Sequence, residues 1–223
     1  MTTSNVPVIA IDGPSASGKG TVAERVAREL GWHYLDSGAL YRLAAVAAQR
    51  AGVSLDDETA VADVAAAMAI EFRDGRVWLR AEDVTEALRA EATSTAASRV
   101  AANPRLRTTL LARQRAFQRP PGLVADGRDM GSVVFPEARL KVFLTAALPI
   151  RAERRHKQLM EKGMYAKMPD VVEDLRRRDE RDATRPVAPL KHYSDALFLD
   201  TTGMTADAAV ATILGWWRQR IES

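Results

Sequence analysis

The sequence predicts an α/β fold with a five-stranded parallel sheet and helices on both of its faces. Five short apolar segments have the length and composition of buried strands, and they lie at about residues 8–12, 32–35, 123–126, 140–146 and 196–200. Segments with a helical pattern separate them, which is typical of a parallel sheet covered on both sides. The 223 residues include no cysteine, which excludes a disulfide scaffold, Cys-ligated zinc and a cysteine nucleophile.

The first part of the chain alternates strands and helices. The strand at 8–12 is followed by a helix at about 19–30, where Gly31 is suited to end it in a left-handed conformation. The second strand leads into a helix over about 41–51 that also ends at a glycine, Gly52. This alternation places the loop after each strand at one edge of the predicted sheet.

The segment from about 55 to 105 has a different pattern and predicts an inserted subdomain. A helix is expected over 60–69, and residues 70–73 and 76–79 then alternate on either side of Asp74-Gly75. An Asp-Gly pair in that setting predicts a β-hairpin, because both turn residues need positive φ. A helix over about 84–102 follows, and Pro104 separates it from another that runs to about 117.

The last part of the chain returns to the α/β alternation. The strands at 123–126 and 140–146 precede two charged helices at about 150–162 and 171–183. The fifth strand then leads to a final helix that Thr205 is expected to cap.

The charge balance is compatible with phosphate or carboxylate binding and does not by itself indicate nucleic acid binding. The net charge is +3, and 26 of the 32 basic residues are arginine, whose fork binds phosphates and carboxylates with two bonds. A genome rich in G and C would give the same bias. With no signal peptide and no run of about 18 apolar residues, we expect a cytoplasmic protein without a membrane partner. We also expect a monomer that has no nucleic acid partner.

A glycine-rich segment after the first strand has the pattern of a phosphate-binding loop. Its residues are Gly13, Pro14, Ser15, Ala16, Ser17, Gly18, Lys19, Gly20 and Thr21. Backbone amides of such a turn cradle phosphates, and the lysine reaches the β- and γ-phosphates. Gly20 stands where related loops carry the hydroxyl that holds Mg²⁺, so we expect the ion to be held mainly by ATP phosphates and waters, without a dedicated protein site.

Polar loops follow the second and third strands. Arg42 comes shortly after Ser37, the expected N-cap of its helix, although a solvated arginine would fit the same pattern. Asp126, Arg128 and Asp129 follow the third strand, where the open edge of a parallel sheet binds ligands, and a structural cluster of ion pairs is the alternative.

A third polar group lies in the second charged helix. Arg178, Asp182 and Arg185 have i, i+4, i+7 spacing and are predicted to share one helix face. The alternative interpretation of this stripe is a solvated surface with weak ion pairs.

Five segments together resemble the bacterial cytidylate kinases, which are P-loop nucleoside monophosphate kinases. They are residues 11–21 (IDGPSASGKGT), 35–42 (LDSGALYR), 96–107 (AASRVAANPRLR), 125–138 (ADGRDMGSVVFPEA) and 177–190 (RRDERDATRPVAPL). The resemblance implies one domain with a core at about 6–54, 106–150 and 186–223. It also implies a monophosphate-binding insert at about 55–105, and a short lid with its following helix at about 151–185.

The same resemblance implies roles for individual residues. Ser98, Arg107 and Asp129 would recognise cytosine, and Arg42 and Arg128 would clamp the acceptor phosphate beside Ser37. The ribose and the transfer site would be lined by Asp126, Arg178, Asp182 and Arg185, and the lid arginines Arg151 and Arg155 would contact ATP. Lys19, Arg42, Arg128 and Arg185 would stabilise the charge of the transferred phosphoryl group.

The expected reaction is therefore Mg²⁺-dependent phosphoryl transfer from ATP to CMP or dCMP. Two alternatives stay open on the sequence. One is a P-loop kinase for another acceptor, such as UMP or AMP, and the other is a nucleotide- or RNA-binding regulator that uses the arginine-rich helices.

Overall fold

The computed structural model describes residues 6–73 and 76–222. In chain order, the elements of the first half are β1 (Val8–Asp12), α1 (Lys19–Leu30), β2 (His33–Asp36), α2 (Ser37–Arg50), α3 (Glu58–Ala66), β3 (Ile70–Arg73), β4 (Arg76–Leu79), β5 (Glu82–Asp83), α4 (Thr85–Arg89), α5 (Glu91–Val100) and α6 (Pro104–Arg115). Those of the second half are β6 (Leu123–Gly127), a π-helical turn (Met130–Val134), β7 (Leu140–Thr145), α7 (Leu148–Glu161), α8 (Met168–Thr184), β8 (Leu197–Asp200) and α9 (Ala206–Glu222).

The predicted five-stranded parallel sheet is confirmed. Its strand order is β2-β6-β1-β7-β8, and β1 lies in the centre, with Ile11 opposite Asp126 on one side and Val142 on the other. All five residues of β1 are buried, as the continuous apolar run predicts for a strand covered on both faces. Because parallel strands end at the same edge, the loops after β1 and β6 open side by side.

The chain divides into two compact units. One comprises Met1–Leu35 and Phe117–Ser223, and the other comprises Asp36–Ala116. In the first unit, α1 and α9 pack on the central strands through a core that includes Val26, Ile213 and Trp217. Within the residues that the structure describes, no helix is both long and apolar enough to cross a bilayer.

The second unit combines helices α2 to α6 with a small antiparallel sheet. The predicted hairpin is present, with Ile70 opposite Leu79 and Arg73 opposite Arg76, while its expected Asp74-Gly75 turn lies outside the described residues. A short third strand, β5, extends this sheet and had no signal in the sequence.

Two details of the second unit differ from the prediction. The helix expected over 84–102 is two helices, because Ala90 adopts an extended conformation with φ −64° and ψ 142° between α4 and α5. The N-cap of α2 is Asp36 and not Ser37, since the Asp36 carboxylate accepts a hydrogen bond from the Ala39 amide at 3.0 Å. The helix therefore begins at Ser37, ahead of the predicted start at residue 41.

Candidate active site

The phosphate-binding loop joins β1 to α1 as its sequence predicts. A Cβ atom at position 13 would lie 1.9 Å from the Leu144 carbonyl oxygen, so only glycine fits where the loop leaves the sheet. Gly18 is the N-cap of α1 and has φ 92°, a left-handed conformation that favours glycine. A glycine cap has no side chain to accept from the first-turn amides, which leaves those amides to bind an anion.

Ser17 supplies an additional donor in the same loop. Its hydroxyl oxygen is buried, and no hydrogen-bond partner for it is present among residues 6–73 and 76–222. Buried hydroxyls are almost always hydrogen-bonded in native proteins, because an unsatisfied one costs about 1–3 kcal/mol. The Ser17 hydroxyl therefore fits a loop that is completed by a phosphate ligand.

Arg128 connects the loop after β6 to both the phosphate loop and α8. Its Nε donates to Asp182 Oδ2 at 2.7 Å, and its Nη2 donates to the Ser15 hydroxyl oxygen at 2.8 Å. The structure thus brings together three of the segments that the sequence singled out. This cluster is not only a structural set of ion pairs, because one of its members is the phosphate loop itself.

The electrostatics of this cluster favour the charged forms. Burial alone would raise the pKa of Asp182, but the Arg128 guanidinium, with help from Arg185 and Lys19, holds it below its usual range. Burial likewise opposes the charge of Arg128, yet Asp182 and Asp126 raise the pKa of that guanidinium further. The site is therefore a compact set of compensated charges beside the phosphate loop.

The charged stripe of α8 is buried rather than solvated. Arg178, Asp182 and Arg185 are 9%, 8% and 6% exposed, which contradicts the solvated-surface interpretation. One part of the prediction is nevertheless wrong, because α8 ends at Thr184 and Arg185 adopts an extended conformation with φ −60° and ψ 141°. Arg185 therefore does not share a helix face with the other two, although its Nη1 still lies 4.0 Å from Asp182 Oδ1.

The two arginines of α7 that were expected to contact ATP occupy different environments. Arg151 is buried, forms a two-bond pair with Asp179 at 3.0 and 2.6 Å, and donates to the Ser15 carbonyl at 3.2 Å. Arg155 is half-buried, and its Nη1 lies 3.5 Å from the Gln158 side-chain oxygen.

Arg154 is a residue that the sequence analysis missed. It donates to the carbonyl oxygens of Ser17 at 2.8 Å and of Thr201 at 2.7 Å. Arg154 and Arg155 follow Arg151 by three and four residues, and both spacings place a side chain on the same helix face as Arg151. Spacing alone therefore could not show which of the two contacts the phosphate loop.

Asp126 is the carboxylate nearest to Gly20, where a hydroxyl is missing. A Cβ at position 20 would lie 3.1 Å from Asp126 Oδ2, and the Tyr34 hydroxyl donates to the same oxygen at 2.9 Å. A buried carboxylate in this place has the oxygen chemistry that a hydrated Mg²⁺ prefers. Among the described residues, no group of three or more acidic or histidine side chains could hold a metal ion directly.

The expected acceptor residues of the second unit lie on three of its helices. Arg42 of α2 pairs with Asp36 through Nη2 and Oδ2 at 2.5 Å, and neighbouring Ser37 is buried. Arg107 of α6 is 8% exposed, donates to the Ala101 carbonyl at 3.1 Å, and has its guanidinium carbon 6.0 Å from the centre of the Tyr41 ring. Ser98, on α5, is half-buried.

A phosphate loop at the edge of a parallel sheet, surrounded by buried arginines, defines a P-loop nucleotide-binding protein of the phosphoryl-transfer class. Comparison with known proteins makes this class specific, because the family model described as cytidylate kinase matches residues 9–219. The chain therefore belongs to the cytidylate kinase family.

Curated relatives support the same family over nearly the whole chain. The chain is 57% identical over 215 residues to a cytidylate kinase of Chromobacterium violaceum, a match that covers 96% of this chain and 97% of the relative. It is 52% identical to a cytidylate kinase of Nitrosomonas europaea, with 98% of each chain covered. A cytidylate kinase of Bordetella bronchiseptica is 55% identical, with 95% of each chain covered.

Proposed function

We propose that this chain transfers the γ-phosphoryl group of ATP to CMP or dCMP and releases ADP with CDP or dCDP. The observation that carries the proposal is the partly buried network of Arg128, Asp182 and Ser15, which joins the phosphate loop to α8 and to the loop after β6. Cytidylate kinase relatives that match nearly the full chain support the same substrates.

The reaction needs positioning and charge compensation more than covalent chemistry from the protein. An oxygen of the acceptor phosphate attacks the γ-phosphorus, and the bond from that phosphorus to the β,γ-bridging oxygen breaks. No general base is required, because the attacking phosphate is already an anion. Lys19, Arg42, Arg128 and Arg185 are proposed to stabilise the negative charge in the transition state, and the guanidinium groups suit two phosphate oxygens at once.

The residues of the phosphate loop fit ATP, and Asp126 fits a magnesium ion that is bound through water. When bound, Mg²⁺ supplies charge neutralisation to the phosphates. The chain's own part is to keep the Asp126 carboxylate in place through the hydroxyl of Tyr34. Arg154 and Arg151 hold the loop from α7 through the carbonyls of Ser17 and Ser15.

Recognition of the base is assigned to Arg107, Ser98 and Asp129. The hydrogen bond from Arg107 to the Ala101 carbonyl holds this buried side chain in one orientation, and the planar guanidinium carries donors suited to a polar base edge. A site that hydrogen-bonds the base discriminates strongly against an analogue that leaves its polar groups unpaired. We therefore expect UMP and AMP to be poorer acceptors than CMP.

The deciding experiment is a panel of acceptors in a coupled assay that detects ADP. CMP, dCMP, UMP and AMP are each tested with ATP and Mg²⁺, and CMP is expected to have the highest kcat/KM. A higher value for UMP or AMP would move the assignment to another P-loop kinase. ATP turnover that does not depend on any acceptor, together with RNA binding that weakens steeply with salt, would favour the regulator instead.

A further inference from the structure

A buried carboxylate that has no role in the proposed chemistry accepts hydrogen bonds from the segment that follows β6. Asp12, the last residue of β1, is 1% exposed. It accepts hydrogen bonds from the amides of Met130 at 2.8 Å and Gly131 at 2.9 Å. These are the first two residues of the π-helical turn, so the end of the central strand fixes where that turn begins.

Tyr193 completes this arrangement from a distant part of the chain. Its hydroxyl donates to Asp12 Oδ2 at 3.0 Å and lies 3.4 Å from the carbonyl oxygen of Arg128. The Ser132 side chain also hydrogen-bonds to Tyr193. One hydroxyl therefore touches the central strand, the loop after β6 and the π-helical turn.

The backbone held in this way carries two residues that are expected to bind the acceptor. The Arg128 carbonyl lies beside the Tyr193 hydroxyl, and Asp129 stands between that carbonyl and the two amides bound by Asp12. The Asp129 carbonyl in turn accepts from the amides of Val133 at 2.9 Å and Val134 at 3.2 Å. Asp129 is thus enclosed on both sides by fixed backbone contacts.

The raised pKa of Asp12 indicates that this carboxylate does more than fill space in the core. Burial raises the pKa of Asp12 to about 6, so the carboxylate is held against a desolvation cost that an apolar side chain would avoid. The hydrogen bonds from Gly131, Met130 and Tyr193 offset part of that cost. An apolar side chain would fill this space at a lower desolvation cost, but the carboxylate, unlike it, can accept hydrogen bonds from both amides.

We propose that Tyr193 and Asp12 are positioning residues that set the backbone of residues 128–131 and so aim Arg128 and Asp129 at the acceptor nucleotide. This inference rests on the proposed function, because it assigns these two residues to the acceptor side of the reaction. Neither Tyr193 nor Asp12 needs to touch the nucleotide. Their effect is expected on acceptor binding and not on ATP binding.

The test compares Tyr193→Phe with wild-type enzyme in steady-state kinetics, with CMP and ATP varied in turn. Loss of one hydrogen bond that orients the loop is expected to raise the KM for CMP about fivefold, while the KM for ATP stays within about twofold. The control is Thr212→Val on α9, which removes a hydroxyl that donates to the Ala208 carbonyl within that helix and has no part in this arrangement. A purely structural role would lower the thermal midpoint without changing the KM for CMP.

A milder variant keeps the proposal testable if Tyr193→Phe does not fold. Ser132→Ala removes the side-chain hydrogen bond to Tyr193 and is expected to raise the KM for CMP by about twofold. An unchanged KM for CMP in both folded variants, or an equal rise for CMP and ATP, would overturn the positioning role. Wild-type enzyme that does not phosphorylate CMP would instead refute the proposed function.

Discussion

Removal of the Asp182 carboxylate separates a ribose contact from a structural ion pair. Asp182 Oδ2 accepts from Arg128 Nε at 2.7 Å, and the two side chains are 12% and 22% exposed. If Asp182 also accepts a hydrogen bond from the acceptor 2′-hydroxyl, its loss harms CMP more than dCMP. The 2′-hydroxyl is the only difference between the two acceptors, so the ratio of their kcat/KM values isolates that contact.

The size of the effect follows from the kinds of bond involved. A hydrogen bond to a charged group contributes about 1.5–3 kcal/mol, which is about 10- to 100-fold in kcat/KM. Asp182→Ala is therefore expected to narrow the preference for CMP over dCMP by that factor. It also removes the carboxylate that pairs with Arg128 Nε, while Arg128 Nη2 keeps its hydrogen bond to the Ser15 hydroxyl, and the resulting loss of stability acts equally on both acceptors.

Asp182→Asn is the sharper variant, because the carboxamide oxygen can still accept from Arg128. Its bond to the 2′-hydroxyl is neutral and contributes about 0.5–1.5 kcal/mol, so the CMP preference is expected to fall between those of wild type and Asp182→Ala. The assay is the coupled measurement of ADP with each acceptor at saturating ATP, supported by thermal unfolding. Glu173→Gln, on the exposed side of the same helix, is the control.

The outcome that would refute the reasoning is an equal loss for CMP and dCMP. In that case Asp182 acts through Arg128 alone. No loss with either acceptor would show that the Asp182 carboxylate has no part in catalysis.

Three further outcomes are expected. Lys19→Ala should lower kcat by about 100-fold with little change in stability, because a cation aimed at phosphate acts mainly in the transition state. Arg107→Met should lower kcat/KM for CMP by about 10- to 100-fold and leave the KM for ATP unchanged, since it removes charged hydrogen bonds to the base. The pKa of Asp12, raised by burial from 3.8 to about 6, means that the folded state binds a proton more tightly than the unfolded state. Its contribution to stability is therefore fully present below about pH 4 and is lost as the pH rises through about 6, by about 3 kcal/mol in all. Denaturant unfolding of wild type and Asp12→Asn between pH 4 and 7.5 measures it.

The Lys19 and Arg107 predictions each have a control variant, and all three predictions have a result that would contradict them. Lys157→Ala, at an exposed position of α7, controls for the loss of a lysine, and near-normal kcat in Lys19→Ala would contradict the assignment of the phosphate loop. Arg105→Met changes an exposed arginine of α6, and a parallel fall in CMP and ATP parameters in Arg107→Met would point to misfolding. For Asp12, a stability difference from Asp12→Asn that does not change with pH would refute the expected linkage.

The sheet was predictable because buried parallel strands are continuous apolar runs. The β1 bounds agree with the prediction, and β6 is one residue longer than expected. The break at Ala90 was not predictable, since no glycine or proline marks it and alanine favours a helix. Local propensity gave no sign of this extended residue.

The sequence indicated which segments form the candidate site, but it did not indicate which side chains contact one another there. The phosphate loop and the loop after β6 carry recognisable residue patterns, but the partners of their side chains come from remote positions. Arg151 pairs with Asp179, 28 residues away, and Tyr193 reaches Asp12 across 181 residues. Such pairings depend on how helices pack and on where irregular segments cross the sheet. The periodicity of a single sequence carries no information on either.

The phosphate loop is fixed to its surroundings at three points. Gly13 rests against the Leu144 backbone, the Ser15 carbonyl is bound by Arg151, and the Ser17 carbonyl is bound by Arg154. The conformational entropy of this loop is therefore lost when the sheet and α7 fold, and not when a nucleotide arrives. Nucleotide binding at this loop then has no ordering step of its own, and we expect its rate to be set by diffusion and by the charge of the site.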